Sequence, residues 1–117
     1  MGALTLGSQY ENLGKGCMRV ISRRAIREFV ETHPQAESAL DTWYRATLQA
    51  DWSNLVEVQQ VYPHADLVGK CTVFNIHGNR YRLIARVNHE HRTVYIRDIL
   101  THEEYDKGGW KDDCYSV

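Results

Sequence analysis

Between Lys70 and Asp106 the chain gathers side chains suited to a phosphate: Lys70, Arg80, Arg82, Arg86 and Arg97, with Asn75 and Asn79 among them and His102 and Tyr105 close behind. Guanidinium and ammonium groups bind phosphate oxygens, and Arg does so through a planar fork of donors. Imidazole and phenol are proton carriers. RNA can be cut by such a set without metal or cofactor, because its own 2′-OH attacks the neighbouring phosphate. The products are a 2′,3′-cyclic phosphate and a 5′-OH. A protein must then help to deprotonate the 2′-OH, stabilise charge on the phosphorane and protonate the leaving oxygen. Arg82, Arg97 and Lys70 fit the second task, and His102, Tyr105 or Lys70 can serve the first and third. Asn75, Asn79, Arg80 and Arg86 would hold and orient the substrate.

Spacing adds geometry. A strand sends alternate side chains to opposite faces. Over 80–88 that puts Arg80, Arg82, Ile84, Arg86 and Asn88 on one face and Tyr81, Leu83, Ala85 and Val87 on the other. The second set enters a core, and the first displays guanidinium groups in a row. Each choice has a plainer reading. Arg97 fits a structural ion pair, Arg80 and Arg86 solvated charge or contact with a partner protein, and Lys70 an ordinary surface lysine. Tyr105 fits a core anchor and Asn79 a turn residue. His102 opens a capped helix, which suits a base but is also a common exposed position. His89-x-His91 has no third ligand at a recognisable spacing, so no metal is expected, and no cofactor either.

A chain of 117 residues is one domain with room for a modest core. Its net charge is −1, but the charge is unevenly spread. Residues 70–100 hold six Lys or Arg against Glu90 and Asp98, whereas 51–69 and 101–117 are each acidic by three. A basic patch of this kind binds a polyanion whatever the total. No apolar run approaches the roughly 20 residues that span a bilayer, and the start lacks the pattern of a signal peptide. Cys17, Cys71 and Cys114 are widely spaced and odd in number. That favours a reducing compartment, the cytoplasm, and argues against both a disulfide framework and structural zinc. Cys71 then reads as a packed thiol, Lys70 beside it notwithstanding.

These side chains need elements to hold them. Residues 1–17 are rich in glycine and small residues and read as a flexible extension, or as a stretch before a natural start at Met18. Residues 18–117 form the single domain. A short strand at 18–22 leads to Ser22 as N-cap and a helix over 23–32 that turns Ala25, Ile26, Phe29 and Val30 inward. Pro34 separates it from a second helix over about 35–49, striped by Ala36, Leu40 and Trp43. One more helical turn is expected over 51–58, capped by Ser53 or Asp51, and loop over 61–70. Strands follow at 72–76, 80–88 and 93–100, joined by His77-Gly78-Asn79 and His89-Glu90-His91. Thr101 and Glu104 form a capping box that opens a short helix. The tail reads as too short for an element, with Trp110 pinning it to the sheet. The order implies an α+β fold: a small antiparallel sheet against an N-terminal helical hairpin, with a short C-terminal helix.

Three strings carry a resemblance: Phe74-Asn75-Ile76-x-Gly78-Asn79-x-x-Arg82-Leu83-Ile84-Ala85, Tyr95-Ile96-Arg97-Asp98, and Thr101-His102-x-Glu104-Tyr105-Asp106. Over about 18–111 the chain resembles the HigB toxins, a branch of the RelE-like toxins of bacterial toxin–antitoxin pairs. It departs from the family habit in being nearly neutral. The resemblance implies a compact RelE-like fold, cleavage of mRNA on the translating ribosome, and neutralisation by a HigA-like helix-turn-helix antitoxin. DNA would be met only indirectly, through that antitoxin. Two other readings share the fold: a ParE-type toxin that inhibits gyrase, and an inactive module that only docks RNA or protein.

Overall fold

A computed structural model describes residues 17–115. The expected flexible extension lies outside the described residues apart from Cys17, which is exposed. Strand β1 (Arg19–Ile21) leads directly into helix α1 (Arg23–Thr32). Ser22 occupies the N-cap position, although its side chain makes no capping bond. A 3₁₀ turn at Pro34–Ala36 then starts α2 (Glu37–Gln49). Helix α3 (Leu55–Val61) begins later than the sequence suggests. Its cap is Asn54, whose side chain accepts from the Glu57 amide at 3.1 Å. Neither Ser53 nor Asp51 takes that role.

The second half is sheet: β2 (Asp66–Val68), β3 (Cys71–Ile76), β4 (Tyr81–Asn88) and β5 (Thr93–Thr101). Two short helices close the chain, α4 (His102–Lys107) and α5 (Lys111–Tyr115). The strand order is β1-β5-β4-β3-β2. Three of the four pairings are antiparallel, and β1 runs parallel to β5. The α+β reading holds, with a mixed rather than purely antiparallel sheet. Parallel neighbours need a long crossover between them, and the helices supply it. Strand β2 lies inside the stretch expected to be loop. It is three residues long with two exposed, so it carries no apolar alternation to read.

The face of the sheet toward the helices is built as alternation predicts. Tyr81, Leu83 and Ala85 of β4 join Phe74 and Ile76 of β3, and these pack on Ile26, Leu40 and Trp43. Phe74 is the hub: Trp43, Trp52 and Tyr62 lie 5.4, 6.0 and 5.6 Å from its ring centre. Truncating such a side chain to Ala costs about 3–5 kcal/mol. Strand β5 contains a bulge: Ile84 opposes Asp98 but Ala85 opposes Ile96, so Arg97 is the extra residue. The bulge shifts the phase of β5. Val94, Ile96 and Ile99 all reach the same core although the last two are three positions apart rather than two.

The opposite face departs from the expected open row of guanidinium groups. Cys71, Val73, Ile84 and Cys114 form a second small core, with Leu100, Tyr105 and Trp110 packed on it. Arg80 precedes β4 and is exposed in the turn, Arg82 is only 8% exposed, and Arg86 is half-buried. The cover is the C-terminal segment, which does form an element, α5. Five residues carry too little periodic signal to announce a helix; tertiary contacts hold it.

Cys71 and Cys114 are joined as a disulfide across 43 residues of sequence, with a Cα–Cα distance of 5.2 Å. This corrects the expectation of unpaired thiols. Spacing along a chain says nothing about proximity when a folded-back tail supplies one partner. Gly69 makes room for the approach: at φ +58, an added Cβ would sit 2.5 Å from the Cys114 carbonyl oxygen.

Candidate functional site

The turn from β3 to β4 places His77 and Gly78 at positive φ, 56° and 65°, and brings Asn79 back over the start of β4. There it meets Arg82. One terminal nitrogen of that guanidinium, Nη1, donates to the Asn79 carbonyl at 3.0 Å and to that of Tyr81 at 3.4 Å. The other, Nη2, donates to Asn79 Oδ1 at 2.6 Å. Asn75 is the cross-strand neighbour of Arg82 on β3. The guanidinium carbon lies 5.0 Å from the centre of the Tyr105 ring, within cation–π range. Among the described residues Arg82 makes no ion pair with a carboxylate. It is a nearly buried cation held by carbonyls, an amide and a π face, and these three bonds leave further guanidinium donors for another acceptor.

Tyr105 stands where it does because of α4. The capping box is present: Thr101 Oγ1 accepts from the Glu104 amide at 3.2 Å, and the Thr101 amide donates to Glu104 Oε1 at 3.0 Å. The first helical amide, that of His102, donates to the Arg80 carbonyl at 3.0 Å. This bond ties the helix start to the Asn79 turn. The His102 ring is exposed, with Nε2 3.3 Å from Asp106 Oδ2 one turn on. Behind Tyr105, Trp110 stacks at 4.8 Å and donates its indole N–H to the Tyr105 carbonyl at 2.9 Å. Trp110 thus pins the tail to the sheet, as the sequence suggests.

Lys70, Arg86 and Arg97 gather elsewhere. With Val87, Asn88, His89 and Tyr95 they line a surface cavity of about 520 Å³, which neither Arg82 nor His102 enters. Arg82 and Arg86 are four residues apart on one strand, or about 13 Å at the rise of a strand. The candidate residues therefore form two clusters. In the second, Arg97 engages Asp113 through both ends of the carboxylate, Nε to Oδ2 at 2.7 Å and Nη2 to Oδ1 at 2.9 Å. Arg86 Nη2 donates to the Asp113 carbonyl at 2.8 Å, while its buried Nε has no acceptor among the described residues. The hydrogen bonds from Arg97 hold the Asp113 carboxyl below the usual carboxylate range, and Asp113 raises Arg97 in turn. Burial, with lesser help from the charges of Glu104 and Asp113, pushes the Asp98 carboxyl up. His89 is occupied by the Trp52 carbonyl, 2.8 Å from its Nδ1.

Asp113, which partners both Arg86 and Arg97, is the residue of this face that reading the sequence misses. The signal was there in the charge pattern, an acidic tail following a basic sheet. Charge alone does not say which acid meets which base.

A five-stranded sheet backed by a helical hairpin is consistent with the RelE-like fold. The model for the HigB toxin, RelE-like toxic component of a toxin-antitoxin system, matches residues 36–108. The mRNA interferase toxin HigB of Escherichia coli (strain K12) is 30% identical over 92 residues, covering 76% of this chain and 88% of that protein. The mRNA interferase HigB of Shigella flexneri gives the same values. That of Escherichia coli O6:H1 is 30% identical over 93 residues, 77% of this chain and 90% of its own. The chain belongs to the HigB toxin family.

Proposed function

We propose that this protein is the toxin of a type II toxin–antitoxin pair and acts as a metal-independent mRNA endoribonuclease on the translating ribosome. The observation that carries the reading is Arg82: a cation almost wholly buried without a carboxylate, clamped by Asn79 and stacked on Tyr105. Burying a charge is costly unless something compensates it. Holding Arg82 against neutral groups keeps its positive charge for an incoming anion. In this reading Arg82 stabilises the phosphorane, and His102 and Tyr105 move the protons. Asn75 and Asn79 orient the guanidinium and the substrate. Arg80 contacts phosphate beside the Asn79 turn, and Lys70, Arg86 and Arg97, gathered in the second cluster, contact phosphates farther along the strand rather than the phosphorane itself. The relatives named as mRNA interferases support the substrate class. The site works in the bacterial cytoplasm, where translated messages are, and a HigA-like antitoxin keeps it silent.

The test is induction in a bacterial host without antitoxin, with 5′-end mapping of transcripts beside the Arg82→Ala and His102→Ala variants. The expected result is growth arrest with new in-frame cuts in translated messages, lost in both variants. His102 is exposed, so its variant remains informative if Arg82→Ala folds poorly. Arrest with intact messages would transfer the reading to gyrase. Soluble protein that causes no arrest would leave a docking module.

A further inference from the structure

One short segment makes several separate contacts with the basic cluster. Asp113 spans Arg97 with its carboxylate and Arg86 with its carbonyl. The next residue, Cys114, is bonded to Cys71, and its carbonyl accepts from the Lys70 amide at 2.8 Å. The three cations engaged, through side chain or backbone, are the three that line the cavity. The segment is joined to α4 through Gly108 and Gly109. Gly108 is at φ +81, and open space surrounds both glycines. A helix of five residues does not hold itself in water, so the position of α5 depends on its tethers. Arg86 Nε, buried with no acceptor among the described residues, marks a donor that the closed arrangement leaves unused. The residues matched by the family model end at 108, before Asp113 and Cys114.

We propose that the Cys71–Cys114 bond is a redox latch: while it is closed, Asp113 occupies Arg86 and Arg97, and its reduction frees both for the phosphates of single-stranded RNA. The proposal rests on the nuclease reading above and adds its regulation. The reductant is a thiol or dithiol. Its thiolate attacks one sulfur and the Cys71–Cys114 bond breaks. A second thiol resolves the mixed disulfide, leaving two cysteine thiols and the oxidised reductant. The tail beyond Trp110, which stays stacked on Tyr105, then lifts from the sheet, and the two guanidinium groups exchange Asp113 for phosphate oxygens. The bidentate match of Arg to phosphate is as good as its match to carboxylate, so the exchange keeps Arg97 satisfied and gives Arg86 Nε an acceptor. In a reducing cytoplasm the face is open; under thiol oxidation it closes.

The experiment measures binding of the full chain to a labelled single-stranded RNA by fluorescence anisotropy, over a salt series. Oxidised protein is compared with protein reduced by dithiothreitol, for the native chain and for the Cys114→Ser, Asp113→Asn and Arg82→Ala variants. Each phosphate neutralised adds about 0.7 to the slope of log K against log salt for single strands. Reduction of the native chain is expected to steepen the slope by about 1.4, one increment for each guanidinium released from Asp113. Cys114→Ser should show the steep slope in both states. Oxidised Asp113→Asn should gain about half, because it loses the carboxylate while its carbonyl still holds Arg86. Thermal unfolding of each form checks that the domain stays folded. Equal slopes in both states, with Arg82→Ala still weakening binding, would overturn the latch and leave the nuclease reading standing. Weaker binding on reduction would overturn it too and make the bond a support for the face. Absence of RNA binding in every form would remove the latch along with the reading beneath it.

Discussion

Arg82 and Arg97 are both arginines on the same face of the same sheet, and the protein treats them in opposite ways. Arg82 is nearly buried and held by carbonyls, an amide and a tyrosine ring. Arg97 is exposed and saturated by a bidentate carboxylate. The first arrangement pays for desolvation in order to keep a positive charge in hand. The second neutralises its cation at the surface, where the carboxylate can be exchanged. A guanidinium count along a strand therefore says little about how much charge a site offers; the partner decides.

The contrast can be broken most directly at the arginines themselves. Loss of a preorganised donor to a transition-state charge costs about 10²–10³ in rate. Arg82→Ala is expected near the top of that range in message cleavage by a translating extract. Arg86→Ala, assayed in oxidised protein, should lose less than about tenfold, the scale of one weak charge contact, because Asp113 already holds its guanidinium. Equal losses would erase the distinction between the clusters. His102→Ala should lower cleavage by about 10², the low end for general acid–base catalysis, with an unchanged melting temperature because the ring is exposed.

Stability probes sharpen the comparison further. Gly69→Ala forces a side chain into a left-handed conformation, worth about 1–2 kcal/mol, and drives a methyl group at the Cys114 carbonyl. It should lower the melting temperature by several degrees and increase hydrogen exchange over 111–115 while leaving the Arg82 end protected. Thr101→Ala removes the N-cap oxygen of α4 and should cost about 1 kcal/mol, loosening Tyr105 instead. The smallest effect concerns pH. Arg97 holds the Asp113 carboxyl below its unfolded value. The contribution of the pair is therefore complete above the ordinary carboxylate range and fades as pH falls through the depressed folded value. An NMR titration of the Asp113 carboxyl should give a midpoint below the ordinary carboxylate range. A midpoint within or above that range would show the pair to be absent in solution.

Much of the architecture was legible because it follows from local periodicity. The helix at 23–32, the stripe of Leu40 and Trp43, and the alternation from Tyr81 to Val87 all announce one buried face. The capping box at Thr101 and Glu104 was legible as well, since both bonds lie within four residues. What escaped was nonlocal or short. Strand β2 has too few residues to alternate, and α5 has too few to form a stripe. The bulge at Arg97 is a mismatch between two strands, visible in neither alone.

The same division holds for the chemistry. Residue type and spacing by themselves picked out side chains suited to phosphate and showed that they cluster on one half of the chain, as a single set; that this set splits into two clusters came from the structure. Only the tertiary structure decided that Arg82 is held without an acid, that Asp113 lies across Arg86 and Arg97, and that Cys71 and Cys114 meet. The physical reason is range. Strand alternation and helix capping act over a few residues and are written locally. Charge pairing and thiol pairing depend on distances in space, which the chain sets only after its tail has folded back over the sheet.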